Sequence, residues 1–313
     1  MKIVVTGALG HIGSKVIRDI PNFVSSVEIW MIDNLLTQRY SSLFDLPKTN
    51  KYKFVESNII DCDLSEAFRD ADVVLHLAAI TNAAGSFHNK EEVNNNNYLA
   101  TQRVAEECIK TNVPMIFISS TSVYGTQKKI VDENCSLDEL NPQSPYAETK
   151  LQEESLLHAF GEKNNLNYII CRFGTIFGVS VGMRFHTAIN KFCWQAVMGK
   201  PITVWRTAIN QMRPYLDLSD AVSAIATIVN NKIYDREVYN VLTTNATVKE
   251  IIDIISIDIN KTEIEYVDSE IMNQLSYTVS NQKFKNTGFK YNGSLEDRIH
   301  ETIELLRSSN ELQ

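Results

Sequence analysis

The residues best suited to chemistry are a tyrosine and a lysine that stand four positions apart, Tyr146 and Lys150. On a helix this spacing places both side chains on one face. An ammonium group near a phenol favours the phenolate and lowers the pKa of the tyrosine. Tyr146 could then act near neutral pH as a general base that takes a proton from a hydroxyl group. Such a pair is common by chance, so its interpretation depends on the rest of the chain.

A glycine-rich turn at residues 6–13 predicts a binding site for a dinucleotide. Gly7 permits a sharp turn from a strand into a helix, and Gly10 lets the backbone approach a pyrophosphate. Gly13 allows the helix to pack closely against the strand. The first N–H groups of that helix would point at the phosphates.

An acidic residue stands at the position that would meet the adenosine ribose. Asp33 ends a predicted strand twenty residues after Gly13. Its carboxylate can accept hydrogen bonds from the ribose and repels a 2′-phosphate, which favours NAD over NADP. Asn58 and Ile59 follow the next predicted strand, where the adenine would lie. Asn58 could bond to the base or could simply be a loop residue.

The elements that position these residues alternate between short apolar runs and amphipathic stretches. Strands are predicted at 2–6, 27–33, 53–56, 72–77, 114–119 and 168–173, and helices at 91–110 and from 144–150 onward. Runs rich in Val and Ile that are separated by helices indicate a parallel sheet covered on both faces. We therefore expect an α/β fold with a doubly wound parallel sheet, a Rossmann fold.

The second half of the chain is less regular. We expect an NAD-binding Rossmann domain over residues 1–173 and a smaller, mixed α/β substrate lobe over 174–313. Helices are predicted at 188–198, 219–229 and 295–307. The segment 218–230 is expected to pack back on the sheet.

Composition narrows the class of protein. The 313 residues are 44% hydrophobic with a net charge of −8, which argues against general binding to nucleic acid or to an anionic membrane. No segment approaches the ~18 apolar residues of a membrane span. The five cysteines form no CxxC pair and no His cluster accompanies them, so we expect buried thiols in a reducing compartment and no metal site. We expect a soluble cytoplasmic protein.

Taken together, these motifs resemble the extended short-chain dehydrogenase/reductase family, specifically its NAD-dependent sugar-nucleotide epimerases and dehydratases. The matching pieces follow the family order over about two thirds of the chain. They are residues 6–13, 33–35, 76–79, Asn97 with Thr101, 119–125, 146–150 and 213–220.

The resemblance implies a role for each matching residue. Tyr146 would be the catalytic base, and Ser120 would bond to the reacting sugar hydroxyl. Lys150 would hold the nicotinamide ribose and, together with the positive charge of the nicotinamide, lower the pKa of Tyr146. Hydride would pass from a sugar carbon, usually C4, to tightly bound NAD. The residues expected around the cofactor are Gly7, Gly10, His11, Ile12, Gly13, Asp33, Asn34, Asn58, Ile59, Leu77, Ala78, Ala79, Asn97, Ser119, Tyr146 and Lys150.

Departures from the family pattern restrict the reaction. Members that eliminate water carry acidic residues just after the position of Ser120, where this chain has Thr121 and Ser122. Members that decarboxylate have a glutamate at the position of Ser122. Without a carboxylic acid to protonate a leaving hydroxyl, dehydration is disfavoured. A 4-dehydrogenase and a 4-epimerase remain, and a protein that senses NAD without turnover is disfavoured because it would not need Tyr146, Lys150 and Ser120.

The substrate pocket is less typical of the family. The expected contacts to a nucleotide-diphosphate sugar are Ser120, Ser122, Thr175, Arg184, His186 and Arg213. Thr175 stands where the family usually has Asn, and Arg213 would meet the substrate diphosphate because a guanidinium suits phosphate oxygens. Arg184 and His186 are expected by position only, and a surface charge or a packing role is an equal alternative.

A closer resemblance is to the GDP-manno-heptose 4-dehydrogenases of bacterial capsule pathways. It favours GDP-heptose or GDP-hexose as substrate and release of the 4-keto sugar. The wider family resemblance implies a homodimer through the helices near 91–110 and 146–160, with a homotetramer as the alternative.

Overall fold

The computed structural model describes residues 1–81, 90–125, 130–260, 262–268 and 276–310. The strands are β1 (Lys2–Thr6), β2 (Glu28–Asp33), β3 (Lys51–Glu56), β4 (Val73–His76), β5 (Met115–Ser120), β6 (Ile130–Val131), β7 (Tyr168–Phe173), β8 (Thr175–Phe177), β9 (Ile202–Trp205), β10 (Met212–Asp217), β11 (Val238–Val241), β12 (Thr244–Thr247), β13 (Ile264–Val267) and β14 (Thr278–Val279). The α-helices are α1 (His11–Asp19), α2 (Ser65–Phe68), α3 (Lys90–Thr111), α4 (Pro145–Asn164), α5 (Ala188–Val197), α6 (Leu218–Asn231), α7 (Val248–Asp258), α8 (Gln282–Lys285) and α9 (Leu295–Arg307).

The large sheet has seven parallel strands in the order β11-β7-β5-β4-β1-β2-β3. The strand order reverses direction between β1 and β4, and in such sheets ligands bind outside the carboxyl ends of the strands at that point. This topology confirms the predicted doubly wound α/β fold. The six predicted strands correspond to β1–β5 and β7. The seventh, β11, was not predicted and comes from beyond residue 173.

Helices cover both faces of the large sheet because its strands are apolar on both sides. On one face α1 and α6 pack against residues such as Val5 and Leu75. On the other face α3 and α4 pack against the adjacent residues of the same strands, among them Val4 and Val74. The segment at 218–230 forms α6, so it lies on the sheet beside α1.

The rest of the chain forms smaller layers around a second core. Strand β10 pairs parallel with β8 and antiparallel with β12, while β13–β9 and β14–β6 are two-stranded pairs. Helices α5, α7 and α9 enclose this core, whose members include Phe192, Ile251 and Ile299. The predictions at 188–198, 219–229 and 295–307 correspond to α5, α6 and α9, whereas α7 was not predicted.

All five cysteines are free thiols, and four of them are buried. Within the described ranges, no three His, Cys, Asp or Glu side chains lie together as metal ligands. No helix in this part of the chain is both long and apolar enough to cross a bilayer.

Candidate active site

A cavity of about 590 Å³ opens at the carboxyl ends of β1, β2, β4, β5 and β7. Its volume lies within the range of roughly 300–1,000 Å³ that is typical of ligand and cofactor pockets. The predicted site residues in its lining are Gly7, Gly10, His11, Ile12, Gly13, Asp33, Asn34, Asn58, Ile59, Leu77, Ala78, Ala79, Ser119, Ser120, Ser122, Tyr146, Lys150, Thr175, Arg184 and His186. We call this the main cavity.

The glycine turn brings bare backbone to the edge of the main cavity. Gly7 has φ +66, and a Cβ there would lie 2.6 Å from the Ala78 nitrogen. A Cβ on Gly13 would lie 2.5 Å from the Gly7 carbonyl oxygen. Gly10 caps α1 without a side-chain acceptor, which leaves the first N–H groups of that helix for an anion. This cradle fits a pyrophosphate.

Asp33 joins the glycine turn to the loop that follows β2. One carboxylate oxygen accepts the Leu9 N–H at 3.0 Å and the other accepts the Leu35 N–H at 2.9 Å. Arg39, which the sequence analysis missed, also lines the main cavity. Burial lowers the pKa of Arg39, and the charge of Asp33 opposes that effect. A cation in the loop that follows Asp33 was the signal that could have identified it.

Helix α4 presents Tyr146 and Lys150 on one face, as predicted. Its N-terminus is fixed by Pro145 in the first turn and by Ser144, whose hydroxyl accepts the Ala147 N–H at 3.2 Å. The Lys150 ammonium lies 5.9 Å from the centre of the Tyr146 ring and 4.5 Å from that of Phe117.

Two opposing effects act on the pKa of Tyr146 in the protein alone. Burial raises it by more than the charge of Lys150 lowers it, so the net direction is upward. The nearby carboxylate of Glu153 adds to the increase, and Arg184 opposes it. The sequence-based expectation of a lowered pKa includes the positive charge of bound nicotinamide, which would act with Lys150 against the cost of burying a phenolate.

Lys150 is buried and paired. Its ammonium lies 3.1 Å from a carboxylate oxygen of Glu153, and both side chains are almost inaccessible. Burial alone would lower the pKa of Lys150, but Glu153 and Tyr146 outweigh it and the pKa is raised. Glu153 was not predicted, although its place three residues after Lys150 on the same helix was a signal.

The serines after β5 form a small hydroxyl cluster in the main cavity. Ser120 Oγ accepts the Ser122 N–H at 3.2 Å and the Ser122 hydroxyl at 2.9 Å. Thr121 is buried and instead donates to the Phe173 carbonyl at 3.3 Å. Ser119 donates to Glu154 at 2.5 Å, which fixes the end of β5 against α4.

A segment at 178–187, which we call the strap, lies across the first turn of α1. The His11 ring nitrogen Nε2 lies 2.9 Å from the Gly178 carbonyl, and the Ser180 hydroxyl donates to the His11 carbonyl at 2.9 Å. The Gly182 N–H donates to Ser14 Oγ at 2.9 Å. A Cβ on Gly182 would lie 2.5 Å from the Leu9 carbonyl oxygen and 2.6 Å from that of Gly10. The strap therefore rests directly on the backbone of the glycine turn.

The strap brings two predicted substrate contacts into the wall of the main cavity. Arg184 donates to Thr81 Oγ1, which lies in the loop after β4. Burial lowers the pKa of Arg184 to about 10, so it stays charged at neutral pH. Burial, with the charges of Arg184 and Arg39, lowers the pKa of His186 to about 4, so His186 is neutral there.

Two predicted site residues lie outside the lining of the main cavity. Asn97 is buried behind the loop after β4, where its amide donates to the Ile80 carbonyl at 3.0 Å and accepts the Ile80 N–H at 2.8 Å. Arg213 lies in β10, donates to Gln211 at 2.7 Å and stacks over Tyr277. Their predicted contacts with cofactor and substrate stay predictions.

The chain matches one protein family model and is similar to curated proteins. The model of the NAD dependent epimerase/dehydratase family matches residues 3–241. The uncharacterised UDP-glucose epimerase YtcB of Bacillus subtilis strain 168 is 30% identical, over 77% of this chain and 76% of its own. A trifunctional UDP-glucose 4,6-dehydratase, epimerase and reductase of Arabidopsis thaliana is 29% identical over 96% of this chain, but this chain spans only 46% of that protein.

Solved structures agree with the fold. The UDP-glucuronic acid 4-epimerase of Bacillus cereus, in complex with UDP-glucuronic acid and NAD, is 26% identical with a TM-score of 0.88. The match covers 98% of this chain and 100% of that one.

The close packing of the strap on the glycine turn predicts the effect of one methyl group. Gly182→Ala should push the strap away from the Leu9 and Gly10 carbonyls and weaken NAD binding by about tenfold or more, since the cradle would shift. Titration calorimetry with NAD measures this. Val181→Ala is the matched control, because that side chain is 48% exposed and its truncation should leave the affinity unchanged. Equal affinities for the wild type and Gly182→Ala would contradict the prediction.

Proposed function

This chain belongs to the NAD-dependent epimerase/dehydratase family, and we propose that it oxidises the C4 hydroxyl of a nucleotide-diphosphate sugar to a 4-keto sugar. We propose GDP-heptose or GDP-hexose as the substrate and release of the keto sugar as the outcome. The observation that carries the proposal is the placement of Tyr146, Lys150 and Ser120 in one cavity with the glycine turn.

The residues present fit NAD. The first turn of α1 and the cradle at Gly7 and Gly13 would hold the pyrophosphate, where any Cβ would intrude. Asp33 would accept hydrogen bonds from the adenosine ribose. Bound NAD would supply the acceptor for the hydride from the sugar carbon.

The chain's own residues would handle the proton of the C4 hydroxyl. Tyr146 would take it as the general base. Ser120 Oγ already accepts two hydrogen bonds from Ser122. A hydroxyl has one proton to donate, so Ser120 has its own proton for the reacting oxygen. The two serines would thus fix the C4 oxygen beside the phenol.

Elimination of water has little support among these residues. Asp33 is the sole carboxylate among the described residues that line the main cavity, and it stands at the adenosine end. Thr121 faces the Phe173 carbonyl, and Ser122 is bonded to Ser120. No acid of this lining is therefore available to protonate a leaving hydroxyl.

The choice between release and epimerisation rests on the resemblance. A 4-epimerase must let the keto sugar turn over before the hydride returns, whereas a 4-dehydrogenase releases it. The resemblance to 4-dehydrogenases supports release. The same resemblance leads us to propose a cytoplasmic enzyme of capsule polysaccharide synthesis.

The reaction can be tested with a panel of GDP- and UDP-sugars. NAD-loaded protein is mixed with each sugar while the absorbance of reduced nicotinamide and the mass of the recovered sugar are measured. A lasting rise in NADH with a sugar lighter by two hydrogens is expected for GDP-heptose or a GDP-hexose. An isomer of unchanged mass without lasting NADH would establish the 4-epimerase instead. No change with any sugar would contradict both.

Removing the hydroxyl group of Tyr146 tests its assignment as the general base. Tyr146→Phe should slow hydride transfer by at least about 100-fold and leave NAD binding intact, because the ring is kept. Single-turnover formation of NADH and calorimetry measure the two effects. Tyr266→Phe, on β13 at a position 43% exposed and outside the main cavity, is the matched control. Transfer at the wild-type rate in Tyr146→Phe would show that another group is the base.

We also propose that two copies of the chain pair through α3 and α4. A groove between these helices is lined by Tyr98, Leu151, Gln152, Ser155, Leu156 and Ala159, and Leu99 beside it is 43% exposed. A surface of apolar and small side chains on two adjacent helices suits a four-helix interface.

A charge in this groove should prevent pairing. Leu156→Arg is expected to shift a dimer to a monomer in sedimentation velocity, because the cation would be buried without a partner. Leu305→Arg, at a position 55% exposed on α9, should leave the oligomeric state unchanged. A monomeric wild type, or a dimer that Leu156→Arg does not disturb, would contradict the proposed interface.

A further inference from the structure

A carboxylate lies buried directly behind the catalytic lysine. Glu153 is 0% exposed, and its Oε2 lies 3.1 Å from the Lys150 ammonium. Lys150 lines the main cavity but Glu153 does not. On α4, Tyr146, Lys150 and Glu153 follow at intervals of four and three residues, so they lie along one helical face. Glu153 therefore reaches Lys150 from the side opposite to a bound ligand.

A chain of hydrogen bonds fixes this carboxylate in place. Thr101 donates to Glu153 Oε1 at 2.5 Å. The single proton of Thr101 is then used, so His76 Nε2, at 3.1 Å, must donate to Thr101. His76 Nδ1 is consequently an acceptor for the Thr6 hydroxyl at 2.7 Å. Thr6 in turn accepts the N–H groups of Leu77 and Ala78.

The direction of this chain matters because every donor in it points toward Glu153. The chain begins at backbone N–H groups beside the glycine turn and ends at a carboxylate, which is an acceptor when ionised. Burial lowers the pKa of His76 to about 3, so His76 is neutral and adds no positive charge. The network holds Glu153 without neutralising it.

The charged and titratable groups around Tyr146 come from α4, β7, β4 and the strap. The titratable or charged groups that face Tyr146, Lys150 and Glu153 are Glu154 of α4, Arg172 of β7, His76 of β4 and Arg184 of the strap. Glu154 forms a bidentate pair with Arg172, so these two largely cancel. At Tyr146 the negative charge of Glu153 is then opposed by Lys150 and, more weakly, by Arg184 of the strap.

We propose that Glu153 is a positioning residue of the hydride-transfer site, which anchors Lys150 and cancels its charge so that Tyr146 keeps its proton to a higher pH than Lys150 alone would allow. The inference deepens the proposed function and rests on the assignment of Tyr146 as the base. It gives the Lys150–Glu153 pair a role in setting the pH range of the reaction.

The sign of the effect follows from the charges. Lys150 lowers the pKa of Tyr146 and Glu153 raises it. Removing the charge of Glu153 leaves that of Lys150 uncancelled, so the phenolate should form at lower pH. Because the base must be deprotonated to act, the acidic limb of the pH profile for sugar oxidation should move to lower pH as well.

Glu153→Gln tests this shift, because glutamine has nearly the same shape as glutamate but carries no charge. The ionisation of Tyr146 is followed by the ultraviolet absorbance of its phenolate. The spectrum of each protein is compared with that of the same protein carrying Tyr146→Phe, both with and without NAD. We expect ionisation about one pH unit lower in Glu153→Gln. The acidic limb of single-turnover NADH formation should move by the same amount.

Two further variants separate charge from structure. Thr101→Val removes the hydrogen bond but keeps the carboxylate, so the phenolate titration should stay near that of the wild type. Glu153→Asp withdraws the carboxylate from Lys150 by one methylene and should shift the titration in the same direction as Glu153→Gln, by less. This variant also serves if Glu153→Gln does not fold.

The outcomes are distinguishable. A lower rate at every pH with an unmoved titration in Glu153→Gln and Glu153→Asp would overturn the inference and leave Glu153 a structural residue. An equal shift in Thr101→Val would overturn it too, since the network rather than the charge would then be responsible. If no sugar reduces NAD in the wild type, the proposed function fails, while the phenolate titration still decides the role of Glu153.

Discussion

The site depends on one constraint, which is that three stretches of backbone meet at the carboxyl end of β1 with no room for side chains. Gly7 lies against Ala78, Gly13 lies against Gly7, and Gly182 lies against Leu9 and Gly10. Backbone contacts of this kind are only open to glycine. They join the glycine turn, the loop after β4 and the strap into one wall. Each of these stretches carries residues that face the main cavity, so the contacts set the shape of that cavity.

Behind that wall, α4 carries ionised groups in compensating pairs. Lys150 pairs with Glu153, and Glu154 pairs with Arg172. A buried charge without a partner would be strongly destabilising, whereas a hydrogen-bonded pair is tolerated. The pairs thereby allow Lys150 to lie buried next to Tyr146. Glu153 also moderates how strongly Lys150 acts on Tyr146, which links the stability of α4 to the chemistry.

Local sequence patterns were sufficient for the parts of the site that a short segment determines. The glycine turn, Asp33 and the Tyr146–Lys150 spacing are each set within a few residues of one strand end or helix, and all line the main cavity. Features that depend on residues far apart in the sequence could not be predicted from local patterns. Strand β11 joins the sheet by pairing with β7, and its four residues carry no local signal for that. Arg213 and Asn97 lie outside the lining of the main cavity at positions set by tertiary packing, and their contacts with the ligands stay predictions. Burial, which raises the pKa of Tyr146, cannot be read from the spacing of Tyr146 and Lys150.

The central claim is that the hydride leaves C4 of the sugar. The most direct test uses the substrate that emerges from the sugar panel, prepared with deuterium at C4, and mass spectrometry of the nicotinamide cofactor recovered after a single turnover. We expect the reduced cofactor to carry the deuterium, and sugars labelled at C3 or C5 to give unlabelled cofactor. Unlabelled reduced cofactor from the C4-labelled sugar, or label arriving from another carbon, would contradict the claim and require another position for the sugar beside Tyr146.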